Sequence, residues 1–503
     1  MKVDLPRGWT SAAMDQVFEP RSSRVSPDDF PESPYVGLEH VEAHSSKLLG
    51  TVPAATMSSS AARFLAGDVL YGRMRPYLNK VILLPFDGLA SAEFIVFPET
   101  VGVNSRFLLW RLLSNDFVEF ACSQYEGDRP RVKFDQLGKF QLHLPPRAEQ
   151  TRIVEKLEEL LSDLDAGVAE LKAAQKKLIQ YRQSLLKAAV EGALTADWRA
   201  AHQANDESQT GAQLLARILT ERRSRWETRQ LAKFQAQGKT PPKDWQAKYP
   251  EPVAPDSAGL PALPLGWVWA TVEQLGDVQL GRQRSPDKVT GLNPAPYIRA
   301  ANITEQGIDF SDVLEMDFTD RERETFRLKS GDVLLTEASG SPQHVGRPVI
   351  WPNVEGLYCF QNTVIRFSPL GITSEFAFQL FLAWQKLGVF RRLSGGVGIN
   401  HLSAGKFSAL AVPLPPVPEQ TELVRALSVA FESLASQEQT IEYSLKQSTA
   451  QRKNILQAAF SGQLVPPDPA DEPASALLAR IRAERAAREA GSLRGRGKKK
   501  VST

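Results

Sequence analysis

Apolar residues recur at every seventh position in two long stretches of the chain. In the first stretch these positions hold Leu157, Leu164, Leu171, Leu178 and Leu185. In the second they hold Leu427, Leu434, Ile441 and Ile455, with Ser448 interrupting the series. A heptad repeat of this length predicts two long helices, each with a continuous seam for a partner helix. The proline pair at 145–146 can precede the first helix, and Gly192 suits its end.

The two seams differ in polarity. The intermediate positions of the second seam include Gln437, Ser444 and Gln451, which makes pairing between two copies of the second helix unfavourable. We therefore expect the second helix to pack against the first, in either a parallel or an antiparallel direction. Two separate surface helices are the simpler alternative.

Shorter apolar patterns fill the chain before each long helix. Strand-like runs are "KVILLPF" from Lys80, "AEFIVFP" from Ala92 and "NTVIRFSP" from Asn362. Single amphipathic helices are predicted from Ser105 and from Ser374. The sequence therefore predicts an α+β fold, with two globular mixed α/β domains and two long helices.

The two halves of the chain are copies of one repeated unit. The motif "LPPRAEQTRIV" from Leu144 returns as "LPPVPEQTELV" from Leu414, and the offset of 270 residues persists to "SLLKAAVEGAL" and "NILQAAFSGQL" at the helix ends. Upstream, "LPRGW" at Leu5 matches "LPLGW" at Leu263, and "GDVL" occurs at Gly67 and Gly331 with drifting offsets. Loops of different length between equivalent elements produce such a drift.

The repeat sets the predicted domain boundaries. They are a first globular domain at 1–144, a long helix at 145–195, a basic and then proline-rich linker at 196–262, a second globular domain at 263–414, a second long helix at 415–464, and a basic tail, helical and then disordered, at 465–503. Part of the linker, "LLARILTERRSR" from Leu214, is echoed by "LLARIRAERAAR" from Leu477 in the tail.

Composition narrows the class of protein. The 503 residues include 60 Lys plus Arg and 58 Asp plus Glu, so any nucleic-acid surface has to be local. Two distant cysteines, Cys122 and Cys359, exclude a disulfide framework within the chain. With no apolar signal core and no apolar run as long as a membrane span, we expect a soluble cytoplasmic protein without membrane contact.

Neither half carries a complete catalytic motif. "LNPAPY" from Leu292 imitates the loop of amino-methyltransferases, but Ala295 interrupts it and no glycine-rich cofactor loop precedes it. "GINHLSAGKF" imitates a phosphate loop, but Phe407 stands where a magnesium-binding hydroxyl is needed. His40 and His44 have zinc-pair spacing only on a helix, and the surrounding sequence favours strand and loop. We therefore expect no catalytic residue, metal or cofactor in this chain.

Basic, amide and aromatic residues cluster in loop-like segments of both halves. Such side chains contact phosphates and base edges, although solvated surface charge is the simpler explanation for any one of them. The candidate DNA-binding residues are Arg73, Arg75, Tyr77, Lys80, Arg129, Arg131 and Lys133 in the first half, and Arg282, Arg284, Lys288, Gln343, His344 and Arg347 in the second.

The paired motifs resemble one family over nearly the whole chain, the DNA-specificity subunits of type I restriction-modification enzymes. The resemblance rests on "LPRGW" and "LPLGW", the two "LPP…EQT" motifs and the two helix ends. It implies a non-catalytic subunit in which each globular domain, a target-recognition domain, reads one half of a bipartite site in double-stranded DNA. It also implies that the long helices pack antiparallel as a pseudo-twofold pair and fix the spacer between the half-sites.

The same resemblance implies the partners. Two modification subunits carry S-adenosylmethionine and methylate adenine, and restriction subunits use ATP and Mg²⁺ for translocation and cleavage. Because the two halves differ strongly after their "GDVL" motifs, we expect an asymmetric recognition site. A coiled-coil adaptor that binds proteins without reading sequence is the alternative function, and a standalone enzyme is a third.

Overall fold

A computed structural model describes residues 5–125, 130–202, 210–256, 258–284, 291–339, 343–393 and 400–499. The chain forms two compact units. The first contains Met1–Ala173 and Ile441–Thr503, and the second contains Ala174–Thr440. The division runs through both long helices, so each unit holds one globular domain and a part of each helix.

In its described residues, the globular part of the first unit combines small sheets with short α-helices. Its strands are β1 (Thr10–Ala13), β2 (Arg24–Val25), β3 (Pro34–Val36), β4 (Val52–Pro53), β5 (Ala61–Phe64), β6 (Val69–Gly72), β7 (Val81–Leu83), β8 (Gly88–Ser91), β9 (Phe94–Phe97) and β10 (Gln141–Leu144). Its helices are α1 (Met14–Val17), α2 (Ser105–Leu113), α3 (Asn115–Ser123) and α4 (Phe134–Leu137). The sheet orders are β2-β5-β8-β3-β4, β7-β6-β9 and β1-β10.

The first long helix is α5 (Arg147–Val190). The second unit follows with helices α6 (Ala196–His202), α7 (Gly211–Ala236), α8 (Val272–Leu275), α9 (Asp320–Phe326), α10 (Ser374–Lys386), α11 (Val389–Leu393) and α12 (Ala404–Ser408). The second long helix is α13 (Val417–Phe460), and α14 (Ala474–Lys499) belongs to the first unit.

The strands of the second unit repeat the plan of the first. They are β11 (Val268–Thr271), β12 (Gly276–Leu280), β13 (Pro294–Ile298), β14 (Ile303–Thr304), β15 (Gly307–Ile308), β16 (Leu314–Asp317), β17 (Val333–Thr336), β18 (Ala338–Ser339), β19 (Pro348–Ile350), β20 (Cys359–Phe360), β21 (Val364–Pro369), β22 (Asn400–His401) and β23 (Ala411–Leu414). β17 lies between β19 and β21, as β6 lies between β7 and β9. The α+β fold with an internal repeat is therefore confirmed.

The "GDVL" motif forms the same turn in both units. Gly67 and Gly331 have φ angles of +89° and +87°, a conformation that favours glycine. The aspartates that follow accept hydrogen bonds from Leu65 N at 2.9 Å and from Lys329 N at 2.8 Å. The turn starts a buried strand, β6 or β17, and so fixes where the loop after that strand begins.

The "LPxGW" and "LPPxxEQT" motifs meet within each unit. Trp9 Nε1 donates to Glu149 at 2.9 Å, and Trp267 Nε1 donates to Glu419 at 2.8 Å. The glutamine after each glutamate donates to the first proline carbonyl of its motif at 3.0 Å, in both copies. These buried hydrogen bonds, together with the β1-β10 and β11-β23 pairs, attach each globular domain to its long helix.

The long helices pack antiparallel within each unit. In the first unit the start of α5 contacts the end of α13, and Asp165 pairs with Arg452 at 2.6 Å. In the second unit the end of α5 contacts the start of α13, and Arg182 pairs with Glu438 at 3.3 Å. Each predicted seam residue is buried or half-buried: Leu157, Leu164, Leu171, Leu178, Leu185, Leu427, Leu434, Ile441 and Ile455.

Each long helix is followed by a helix that docks on a globular domain. Gly211 N, at the start of α7, donates to Gly266 O at 2.8 Å, and Ala474 N, at the start of α14, donates to Gly8 O at 2.9 Å. Apolar residues of the first turns, Leu214 and Leu477 among them, are buried in the cores of their units. The segment predicted as a linker therefore includes a docked helix of 26 residues.

Each amphipathic segment predicted as one helix is divided into two. In the first unit α2 ends and α3 begins at Ser114, whose hydroxyl accepts from the buried Arg111 guanidinium at 2.6 Å. In the second unit α10 and α11 are separated by Gly388, which has a φ angle of +75°. Within the described part of the chain, no helix is long and apolar enough to cross a membrane.

Candidate nucleic-acid interface

The loop between β6 and β7 exposes a group of candidate residues in the first unit. Arg75 has a left-handed backbone, with φ 52°, immediately before a short 3-10 helix at Pro76–Leu78. This turn leaves the Arg75 side chain exposed, and Tyr77 beside it is 44% exposed. Lys80 is only half-buried, and its Nζ donates to Leu38 O at 2.6 Å, which ties the end of the loop to the domain.

A second segment, residues 130–133, lies beside this loop. Arg75 N donates to Pro130 O at 2.7 Å, and Val132 N donates to Arg73 O at 3.0 Å. The guanidinium groups of Arg73 and Arg131 both pair with the carboxylate of Glu93, which comes from the β8-β9 turn. Lys133 is exposed. Arg129 lies outside the described residues.

The second unit has an equivalent pair of segments. The loop after β17 begins at Glu337, and β18 pairs antiparallel with β22, so that Ala338 faces His401. Leu402 N donates to Glu337 O at 2.7 Å. His401 Nδ1 lies 3.2 Å from both carboxylate oxygens of Glu337.

The candidate residues of the second unit have different environments. Arg284, Gln343 and His344 are exposed, whereas Arg347 is half-buried and its Nη1 donates to Ile303 O at 3.4 Å. Lys288 lies outside the described residues.

Arg282 is buried, with a side chain only 7% exposed. Its Nε donates to Glu322 at 2.8 Å, its Nη1 donates to Asp317 O at 2.5 Å, and its guanidinium lies over the Phe318 ring. Although burial opposes ionisation of Glu322, hydrogen bonds from Thr319 and the charge of Arg282 lower the pKa of that carboxyl. A paired and buried cation of this kind holds loops together, so its position argues against DNA contact by Arg282.

Three residues of these loops are missing from the sequence-derived candidates: Glu93, Glu337 and His401. The sequence holds a signal for His401, because the offset of 270 that relates the long helices also relates Arg131 to His401. The charge of acidic side chains such as Glu93 and Glu337 opposes phosphate contact. Here, however, they hold the basic side chains in place.

The exposed side chains of these loops are of the types that contact nucleic acids in proteins. Guanidinium, imidazole, amide and phenol groups on exposed loops donate and accept hydrogen bonds at base edges and phosphates. Among the residues with described positions, no group of three or more His, Cys, Asp or Glu side chains could hold a metal ion.

Comparisons with known proteins point to one family. Residues 264–447 match the family model for the type I restriction modification DNA specificity domain. The chain is 30% identical over 199 residues to the EcoDI specificity subunit of Escherichia coli, an alignment that covers 39% of this chain and 44% of that protein. It is 24% identical over 419 residues to the EcoKI specificity subunit of E. coli K12, covering 80% of this chain and 75% of that protein.

A solved structure extends the likeness to the fold. The HsdS subunit from Thermoanaerobacter tengcongensis matches 92% of this chain and 99% of its own with a TM-score of 0.56. The sequences are 19% identical in this comparison. Because identity is low, this match concerns the fold alone.

Proposed function

We propose that this chain is a type I restriction-modification DNA-specificity subunit, as its similarity to that family indicates, and that it selects the DNA sequence on which a larger complex acts. In this proposal it binds double-stranded DNA and catalyses no reaction itself. Each globular domain reads one half of an asymmetric bipartite site. The adaptor alternative is not favoured, since the relatives are named as specificity subunits of restriction enzymes.

One observation carries the proposal of an asymmetric site. The two units share their turns, strand pairing and helix attachment, yet the equivalent exposed loops carry different hydrogen-bonding groups. Equivalent folds can approach two half-sites in the same way. Different side chains at the same backbone position then select different bases.

We assign two further roles to the antiparallel pair of α5 and α13. The helices fix the number of base pairs between the half-sites, because their length is set by the shared heptad seam. They also dock two modification subunits, which supply S-adenosylmethionine and the methyl-transfer site. Restriction subunits that use ATP and Mg²⁺ complete the complex. The exposed side chains on the helices, Tyr181 and Tyr443 among them, leave surface for such partners.

The proposal is tested by mapping methylated adenines in host DNA by long-read sequencing, with and without the gene for this chain. We expect methylation of one bipartite asymmetric motif to disappear on deletion and to return on complementation. The purified chain with S-adenosylmethionine should transfer no methyl group until a modification subunit is added. Methyl transfer by the rigorously purified chain alone would contradict the assignment.

A further inference from the structure

The backbone places Arg131 of the first unit and His401 of the second at the same position of the fold. Arg131 bridges antiparallel to Met74, and His401 pairs antiparallel with Ala338. The offset between Met74 and Ala338 is 264, as it is for the "GDVL" motifs that precede them. The offset between Arg131 and His401 is 270.

Hydrogen bonds on both sides support this equivalence. Val132 N donates to Arg73 O, and Leu402 N donates to Glu337 O. Arg73 N donates in turn to Glu93 O at 2.9 Å, and Glu337 N donates to Thr363 O at 2.8 Å. The same three segments therefore meet in the same order in each unit, and only their side chains differ.

Each of the two basic residues is held by a partly buried carboxylate, but from a different segment. Glu93 holds Arg131 in the first unit, and Glu337 holds His401 in the second. The basic side chains remain 50% and 55% exposed, whereas their carboxylates are 19% and 16% exposed. A partly buried carboxylate that pairs with an exposed basic group fixes the orientation of the basic group. The exposed atoms of the basic group remain available for a ligand.

We infer that Arg131 and His401 are equivalent base-contacting residues, and that the difference between them makes the two half-sites differ at one position. The inference rests on the proposed function. A guanidinium can donate two hydrogen bonds at once to O6 and N7 of guanine. An imidazole whose Nδ1 faces Glu337 offers only Nε2, so His401 cannot form that bidentate contact. Arg131 therefore selects guanine through two hydrogen bonds, whereas His401 can form only one hydrogen bond with a base edge.

The carboxylates favour base contact over phosphate contact. Glu93, which is shared with Arg73, offsets part of the charge of Arg131, and it would also lie close to any phosphate that Arg131 bound. Lys133, two residues further, is exposed and forms no ion pair with a described residue. Lys133 is therefore the matched control for a phosphate contact in the same loop.

The test uses the complete chain assembled with its modification subunits, on DNA duplexes that carry every single-base change of the methylated motif. Arg131→Ala should lower discrimination at one guanine of one half-site by about ten-fold or more and leave the other half-site unchanged. His401→Ala should relax one position of the other half-site only. His401→Arg should introduce a preference for guanine at that position.

Lys133→Ala should instead weaken binding to all sequences equally and reduce the salt dependence by about one counterion. If Arg131→Ala behaves like Lys133→Ala, or if base preferences stay unchanged, the inference fails. If Arg131→Ala does not assemble, Arg131→Lys keeps the charge without the bidentate fork and should still lose the preference for guanine. A wild-type complex with no sequence preference would instead contradict the proposed function.

Discussion

Trp9 and Trp267 each donate an indole hydrogen to a buried glutamate, but the two glutamates have different neighbours. Glu419 also accepts from Arg199 Nη2 at 2.7 Å and from the Thr195 hydroxyl at 2.7 Å. Among the described residues no arginine donates a hydrogen bond to Glu149, although the charge of Arg152 acts on it, and one of the Glu149 oxygens is buried without a hydrogen-bond partner. Burial accordingly raises the pKa of Glu149. The two copies therefore share the tryptophan–glutamate hydrogen bond that attaches each globular domain to its long helix. The charged and polar groups around the glutamate differ between the copies.

The exposed loops have diverged further. The first unit places two arginines around Glu93, whereas the second has Glu337 where the first has Arg73, and Thr363 where the first has Glu93. These changes leave the backbone hydrogen bonds in place. Val132 N donates to Arg73 O at 3.0 Å, and Leu402 N donates to Glu337 O at 2.7 Å. Duplication within one chain therefore allows the same framework to carry two different recognition surfaces, which identical copies in a homodimer could not do.

The largest expected effect tests whether the two long helices act as one pair. Insertion of one heptad into both, between Leu164 and Leu171 and at the equivalent place in α13, preserves the seam and lengthens each helix by about 10 Å. We expect methylation to move to sites whose spacer is longer by about three base pairs. Insertion into one helix alone should break the register and abolish activity. An active double insertion with unchanged spacing would show that the helices do not set it.

Glu419→Gln should cause the next largest effect. Glutamine can still accept from Trp267, but the Arg199 guanidinium, whose side chain is 12% exposed, loses its counter-charge. We expect the second unit to lose about 3 kcal/mol of stability, measured by hydrogen exchange of the amides in β11 and β23. The double variant Glu419→Gln/Arg199→Leu removes the unpaired charge and should recover part of the loss. No recovery would argue against the ion pair as the cause.

Glu149→Gln should have the smallest effect on the free energy of unfolding. Unlike Glu419→Gln, it should not lower that free energy. A carboxyl whose pKa is raised by folding stabilises the fold fully below its ordinary pKa, and this contribution is lost as the pH rises through the raised value. Glutamine keeps the acceptor for Trp9 without the charge. The variant should therefore match or exceed the wild type in stability at pH 7, and the difference should shrink toward pH 4. Hydrogen exchange in β1 and β10 measures it, and a loss as large as that of Glu419→Gln would contradict the account.

Much of the fold could be predicted from periodicity and repetition. The seam from Leu157 to Leu185 predicted a long helix because heptad spacing is a local property of the sequence. Docking of α7 was not predicted, since its charged outer residues resemble those of a linker. The burial of its first turns depends on contacts with Gly266 and the second core, which are distant in sequence.

The candidate interface was only partly predictable for the same reason. Arg75 and Tyr77 could be selected because proline and glycine mark an exposed loop, and they are exposed. In sequence Arg282 resembles these exposed loop residues. In the structure its side chain is buried and pairs with the carboxylate of Glu322, which lies 40 residues away along the chain. His401 was missed because its loop partner, Glu337, lies 64 residues away along the chain.

The central claim is that each globular domain reads its own half-site while the helices keep the register. Replacement of residues 263–410 with the matching domain of a related subunit tests it most directly, because the swap leaves α5, α13 and the first domain in place. Long-read sequencing of methylated adenines in cells with the exchanged subunit should show one half of the motif changed and the other half, with the spacer, retained. An active exchanged subunit that alters both halves, or neither, would contradict the claim.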